Sequence, residues 1–158
     1  MSLSMSRAER EAFLAAVHVG VISIERPERS PLSVPIWYSY QPGGELWIMV
    51  ESGSLKERLL EQARRFTLCV QDETPPFYKF VSVAGPIVSM VPSDKERDER
   101  TMAARYLGEE LADQYIAATK ADPSNRPGVI VTMQPEAWIT ADFENQFRSS
   151  AGQQRGES

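Results

Sequence analysis

Histidine and cysteine are almost absent from this chain, whose 158 residues include one of each, His18 and Cys69. One histidine cannot build a histidine-rich metal site, and one cysteine excludes an internal disulfide and a cysteine-built metal cluster. We therefore expect no metal centre. We interpret His18 as structural, at the C-terminal end of a first helix where a partly protonated ring suits the helix dipole. Cys69 lies in the apolar run FTLCV, which is typical of a buried, unreactive thiol.

The chain also lacks the common motifs of nucleotide binding and hydrolysis. No G-x-G-x-x-G follows a predicted strand, and G-x-x-x-x-G-K-[ST] and H-E-x-x-H do not occur. The serine hydrolase motif G-x-S-x-G does not occur either. Hydrolytic and metal-based chemistry are therefore disfavoured, which favours an organic cofactor that brings its own reactivity.

A surplus of positive charge and a long apolar run are missing as well. The net charge is −5, so a broad nucleic-acid-binding surface is not expected, and any bound anion needs a local group of cations. No segment approaches the roughly 18 to 20 apolar residues that cross a membrane, and the first residues contain no apolar secretory core. We expect a cytoplasmic protein that binds neither nucleic acid nor membrane.

Strand patterns dominate what remains. We predict one domain over residues 1–148 and a disordered, small and polar tail over residues 149–158. Six or seven strands follow one another with only two helical interruptions after the N-terminal helix, which favours a mainly β fold, an antiparallel barrel with peripheral helices. Three helices are predicted. The first starts at the Ser6–Glu9 capping box, the second spans about Leu55–Arg65, and the third spans about Asp94–Lys120 with a break at Gly108.

Three details of the predicted strands can be compared with the structure. The run LSVPIWYSY is expected to be one strand that forms a hairpin with ELWIMV through a Pro-Gly-Gly turn. Gly85-Pro86 is expected to mark a bulge or bend within a long strand, because proline cannot donate to a central ladder. The tetrapeptide SDKE at residues 93–96 is interpreted as a capping box.

The strand-to-helix junction ESGSLKE, residues 51–57, has two interpretations. Ser54 is a natural N-cap, and Glu57 three residues later completes a capping box. This capping alone accounts for the pattern.

The second interpretation is an anion site. Gly53 removes a Cβ where a ligand would approach the backbone, and Lys56 is a cation at the helix end where the dipole disfavours it. Together with free backbone amides and the hydroxyls of Ser52 and Ser54, this lysine could bind a phosphate. The two neighbouring glutamates oppose this unless they turn away.

Aromatic residues on the neighbouring strands also have two interpretations. Trp37, Tyr38 and Trp47 could line a flat apolar slot for a planar ligand. Strand aromatics also commonly fill the core of a barrel.

The order of these segments resembles the split β-barrel flavoprotein superfamily. Its members include the pyridoxamine 5′-phosphate oxidase-like proteins and the flavin/deazaflavin-dependent oxidoreductases. The resemblance covers about residues 8–142. It rests on Gly53-Ser54-Leu55-Lys56, which is similar to the family's G-S-R-K or G-x-x-K phosphate loop, and on Pro35-Ile36-Trp37-Tyr38, Pro76-Phe77-Tyr78-Lys79-Phe80 and Arg105-Tyr106-Leu107-Gly108.

The resemblance implies a six-stranded antiparallel split β-barrel of the FMN-binding type. It also implies a homodimer with cofactor sites at the subunit interface, where the deazaflavin coenzyme F420 or FMN binds, and it designates no catalytic side chain. The implied cofactor-binding residues are Pro35, Ile36, Trp37, Met49 and Val50 around the ring, Ser52, Ser54, Lys56 and Arg58 at the phosphate, and Lys79 near the groove, toward the cofactor of the other subunit.

Two departures from the family pattern narrow the function. Leu55 replaces an arginine of the oxidase phosphate loop, and Arg58 could compensate, although it lies about 300° around the helix from Leu55. The oxidase motif R-L-x-P does not follow Trp138, so pyridoxamine phosphate is not the expected substrate.

The resemblance therefore implies a pyridoxamine 5′-phosphate oxidase-like oxidoreductase. It would transfer hydride between F420 or FMN and a small conjugated substrate. The alternative is a non-catalytic split-barrel protein that sequesters flavin, tetrapyrrole or haem.

Overall fold

A computed structural model describes residues 2–148. The predicted disordered tail lies outside the described residues, and the division into one domain and a tail stays a prediction. Eight strands form one curled antiparallel sheet, so the fold is mainly β, as expected. The strands are β1 Gly20–Arg26, β2 Arg29–Ile36, β3 Tyr38–Tyr40, β4 Leu46–Glu51, β5 Arg65–Asp72, β6 Lys79–Pro92, β7 Gly128–Met133 and β8 Ala137–Asp142.

Helices occupy the outside of the sheet at both interruptions and at the N-terminus. They are α1 Arg7–Ala15, α2 Leu55–Ala63, a π-helical turn Lys95–Glu99, α3 Arg100–Leu107 and α4 Glu109–Ala121. The Ser6–Glu9 capping box is confirmed, and the break at Gly108 is confirmed by its φ of 83° between α3 and α4.

The long strand β6 organises the sheet. The strand order is β2-β1-β5-β6-β7-β4-β3, and β8 also pairs with β6. Residues up to Pro86 pair with β5 and residues up to Ala84 pair with β8, whereas residues from Ile87 onward pair with β7, with a register shift between Ile87 and Ser89. Gly85-Pro86 therefore marks the point where β6 leaves one half of the sheet for the other. The irregularity predicted at Gly85-Pro86 lies slightly later, since the register shift falls between Ile87 and Ser89 and the pairing with β5 runs through Gly85 and Pro86 without a shift.

The implied count of six strands is not confirmed, because the described sheet has eight. One reason is Trp37, which interrupts the run that was predicted as a single strand. β2 pairs with β1 up to Ile36, and β3 pairs with β4 from Tyr38. The amide of Tyr38 donates to the hydroxyl of Tyr106 at 3.0 Å. The chain therefore changes partner strand at Trp37, and the predicted β3–β4 hairpin is confirmed.

The interior of the curled sheet is a continuous apolar core. The alternating side chains of β1, β4, β5 and β7 point into it, which gives fully buried residues such as Ile22, Ile48 and Leu68. Tyr38 is also fully buried, and its hydroxyl donates to the carbonyl of Leu14 at 2.6 Å. Cys69 is half-buried rather than buried, and desolvation raises the pKa of its thiol, which agrees with an unreactive side chain.

The prediction for His18 is wrong in position. Helix α1 ends at Ala15, so His18 lies beyond the helix, and its ring stacks on Phe13 with centroids 4.6 Å apart. Arg105 donates to the carbonyls of Ala15 and Ala16 and so provides the cation at this helix end. Burial lowers the pKa of His18. Burial therefore favours the neutral form of the ring.

Candidate functional site

A cleft of about 500 Å³ opens where the end of β4 and the start of α2 meet the β2–β3 link. Its lining includes seven of the ten residues predicted to bind a cofactor, namely Pro35, Ile36, Trp37, Met49, Val50, Ser54 and Lys56. The other lining residues are Val19, Glu51, Glu99, Met102, Tyr115, Asn125, Arg126 and Gly128.

One wall of the cleft is aromatic and held in place from behind. Trp37 stacks on Tyr106 with centroids 4.8 Å apart and planes 6° from parallel, and Tyr115 of α4 lies 6.4 Å from Trp37. The hydroxyl of Tyr106 donates to the carbonyl of His18 at 2.6 Å. Of the three candidate slot aromatics, only Trp37 lines this cleft. Tyr38 fills the core instead, and Trp47 lines a separate depression.

The junction after β4 combines a helix cap with an occupied amide. The hydroxyl of Ser54 accepts a hydrogen bond from the amide of Glu57 at 3.2 Å, so Ser54 is the N-cap of α2. The carboxylate of Glu57 accepts from the amide of Gly53 at 2.9 Å rather than from that of Ser54. One amide that was expected to be free is therefore used within the protein. The first amides of the helix, at Leu55 and Lys56, have no intrahelical acceptor.

Two cations lie at this end of the cleft. Lys56 is one, and the other is Arg126, whose Nη1 lies 3.6 Å from the position of a Cβ placed on Gly53. Gly53 has a φ of 78°, a backbone conformation in which a side chain would be strained. The amide of Ser52 donates to the carbonyl of Pro127 at 2.9 Å, which fixes the two loops to each other.

Three predicted site residues do not line the cleft. Arg58 donates to the carbonyl of Gly53 at 3.3 Å and so holds the loop backbone. Ser52 contacts the loop of Arg126 through its backbone amide, which donates to the carbonyl of Pro127. Lys79 forms ion pairs with Asp142 at 3.7 Å and Glu144 at 3.4 Å on the β8 side of the sheet. The predicted roles of these three residues stay predictions.

Glu99, a buried carboxylate of the cleft wall that is 7% exposed, was not among the residues predicted from the sequence. The hydroxyl of Ser93 donates to its Oε2 at 3.0 Å. The SDKE segment is therefore not the predicted capping box. Asp94 caps the π-helical turn by accepting from the amide of Arg97 at 2.7 Å, which leaves Ser93 for Glu99.

Two further findings concern residues 2–148. They contain no group of three or more histidine, cysteine, aspartate or glutamate side chains that could hold a metal ion. No helix among them combines the length and apolar character that a bilayer crossing needs.

Several solved structures resemble this one. An F420 reductase has a TM-score of 0.63 and 19% identity, and the match covers 82% of this chain and 94% of that chain. A conserved hypothetical protein from Mycobacterium tuberculosis has a TM-score of 0.68 and 21% identity over 89% of this chain and 87% of that one. An FAD-binding protein from Mesorhizobium loti has a TM-score of 0.62 and 19% identity over 88% and 94%. No protein-family model and no curated protein matches the chain.

These likenesses show that the chain shares its fold with these proteins, in agreement with the fold that the sequence resemblance implied. Proteins of this fold are named as an F420 reductase and as an FAD-binding protein. At these identities the likeness concerns the fold, and the function has to be argued from the cleft.

Proposed function

We propose that this protein binds F420 or FMN in the cleft and is an oxidoreductase that transfers hydride between this coenzyme and a small conjugated substrate. The observation that supports the proposal is the polarity of the cleft. Trp37 and its neighbours provide an apolar aromatic wall, whereas Lys56 and Arg126 provide positive charge at the start of α2. A planar ring joined to an anionic tail matches both ends.

The residues of the cleft fit such a coenzyme. Trp37 and Ile36 would contact the ring, and Met49 and Val50 would cover the neighbouring surface. The hydroxyl of Ser54 already caps α2 and can accept one hydrogen bond from its helix while donating another to a phosphate. When bound, the coenzyme supplies the hydride chemistry, and the side chains hold it and exclude water from its ring.

We also propose a homodimer with the coenzyme site at the subunit interface. Its support is an exposed apolar stripe at the edge of the cleft: Val17 and Val19 are each 55% exposed and Val21 is 42% exposed. Val19 lines the cleft, and Val21 pairs with Pro35 of β2. A second subunit that covered this stripe would also close the cleft on one side.

Light scattering on the purified protein is expected to give the mass of a dimer, and Val21→Glu is expected to shift it to the monomer mass because a charge would be buried. Leu111→Glu, at an exposed leucine of α4, is the matched control and should leave the dimer intact. A monomer at all concentrations would contradict the proposal.

Titration of the purified protein with F420 and with FMN, followed by fluorescence, tests the coenzyme assignment. We expect one of them to bind, and Lys56→Ala to weaken this binding at least about tenfold, or about 1.4 kcal/mol. Lys120→Ala removes an exposed lysine of α4 and should leave the affinity unchanged.

The proposed coenzyme site fails if neither coenzyme binds, or if Lys56→Ala binds as tightly as wild type with its fold intact. Tight binding without oxidation of the reduced coenzyme by any quinone, enone or tetrapyrrole would favour the alternative, a protein that sequesters its ligand.

A further inference from the structure

Glu99 is a buried carboxylate with few partners. It is 7% exposed, and its Oε2 accepts one hydrogen bond, from the hydroxyl of Ser93 at 3.0 Å. Its Oε1 lies 3.6 Å from Nζ of Lys95, which is a long ion pair. A carboxylate offers about four acceptor sites, and buried charged groups are normally fully hydrogen-bonded. Within the described part of the chain, Glu99 therefore has acceptor capacity to spare, and it faces a cleft.

Glu99 is connected through Ser93 to the end of the cleft that carries Lys56 and Arg126. Its partner Ser93 donates its amide to the carbonyl of Gly128 at 2.9 Å. A Cβ placed on Gly128 would lie 2.5 Å from the Ser93 hydroxyl oxygen, so the two residues are in close contact. Gly128 is paired in register with Glu51, the last residue of β4. The same loop that carries Arg126 to Gly53 thus leads directly into the strand beside Ser93.

This placement restricts what Glu99 can recognise. A carboxylate repels a phosphate, so the ligand group that it faces must donate hydrogen bonds. Because Glu99 lies beside the strand ends that carry the phosphate loop, that donor group should be close to the phosphate in the ligand.

The local backbone supports a role in the cleft. Glu99 closes the π-helical turn Lys95–Glu99, and such turns are rare and frequent at functional sites. Its neighbour Glu96 is exposed and forms ion pairs with Arg100 and Lys120. The ion pair of Glu99 with Lys95 is weak evidence that Glu99 stabilises the fold, because the desolvation of a buried charge offsets the attraction.

Resting on the coenzyme assignment above, we propose that Glu99 accepts hydrogen bonds from the hydroxyl groups of the polyol chain that joins ring and phosphate. The recognised ligand class is then a polyol phosphate ester that carries a planar ring. Lys56 and Arg126 select the phosphate, and Glu99 selects the hydroxyl-bearing linker.

The test uses three ligands in the ring series that the wild-type protein binds. In the flavin series they are FMN, riboflavin without the phosphate, and lumiflavin without phosphate and polyol. The deazaflavin series has F420, its phosphate-free riboflavin analogue, and the bare ring. Glu99→Gln is expected to weaken the first two ligands by about tenfold and the bare ring by less than twofold. Lys56→Ala should weaken only the complete coenzyme.

Glu110→Gln is the matched control, since it removes an exposed carboxylate of α4 and should change none of the three affinities. The melting temperature of the ligand-free protein is the second measurement. Glu99→Gln should leave it unchanged or raise it, because the variant relieves a buried charge with few partners.

Two results would overturn the proposal for Glu99 alone. One is a Glu99→Gln variant that melts lower and binds all three ligands as the wild type does, which would identify a structural carboxylate. The other is an equal loss for the bare ring, which would place the contact on the ring. If the wild type binds neither series, the coenzyme assignment fails together with this one.

Discussion

Gly85→Ala is expected to lower the free energy of unfolding by about 3 kcal/mol or more, which is a large part of the stability of a domain of this size. A Cβ at this position would lie 1.9 Å from the carbonyl oxygen of Gln134 and 2.9 Å from its carbonyl carbon. Both are backbone atoms, so no change of rotamer can relieve the overlap. The backbone itself would have to move.

That movement would affect the place where the two halves of the sheet join. The amide of Gln134 donates to the carbonyl of Pro86 at 3.0 Å, and the amide of Glu136 donates to that of Ala84 at 2.9 Å. The link between β7 and β8 is therefore hydrogen-bonded across the residue that the new methyl group would push away. Displacing the link would strain the pairing of β6 with β7 and its pairing with β8.

Urea unfolding, followed by tryptophan fluorescence, measures the loss. Gly20→Ala is the matched control, because it adds the same methyl group to another buried strand glycine. Its nearest neighbour, at 2.7 Å, is a terminal methyl of the Leu68 side chain, which can rotate. We expect a clearly smaller loss there. Equal stability of Gly85→Ala and wild type would show that the link can shift freely.

Local signals in the sequence predicted much of the fold. The Ser6–Glu9 capping box, the β3–β4 hairpin and the helix break at Gly108 each depend on interactions within a few residues, so the pattern contains the information. The order of the motifs then indicated the fold that the solved structures share with this chain. The seven predicted residues that line the cleft come from two short segments, residues 35–37 and 49–56, that belong to those motifs.

The remaining features depend on contacts between distant segments. Arg126 reaches Gly53 because the amide of Ser52 binds the carbonyl of Pro127, and no sequence spacing links these two loops. The sequence pattern does not indicate the strand break at Trp37 either. The apolar pattern continues through it, and the break arises because the chain exchanges one partner strand for another.

The helix end near His18 shows the same limit. A histidine near a predicted helix C-terminus suggests a dipole contact, but the cation at that end comes from Arg105, about ninety residues away in sequence. Propensity indicated that the helix would end, and tertiary packing decided where and with which partner.

Loss of both cations beside Gly53 is expected to have the largest effect on coenzyme binding. We expect Lys56→Ala and Arg126→Ala each to weaken binding about tenfold, and the double variant to weaken it about a hundredfold or more. Each cation can form a charge-assisted hydrogen bond with the phosphate, and such bonds contribute about 1.5 to 3 kcal/mol. Both losses should shrink as the ionic strength rises, since Arg126 is exposed and its charge is screened.

The double-mutant cycle separates two ways in which the pair could act. If Lys56 and Arg126 both contact one phosphate, the double variant should bind more weakly than either single variant, and their losses in binding free energy should be coupled because the two residues share a partner. If Arg126 only shields Gly53 and Lys56 alone binds, the double variant should bind no more weakly than Lys56→Ala.

Arg58→Ala belongs in the same series, because the guanidinium of Arg58 holds the Gly53 carbonyl rather than lining the cleft. A loss as large as that of Arg126→Ala would restore Arg58 to the phosphate site that the sequence predicted, whereas a small loss would leave Arg126 as the second cation.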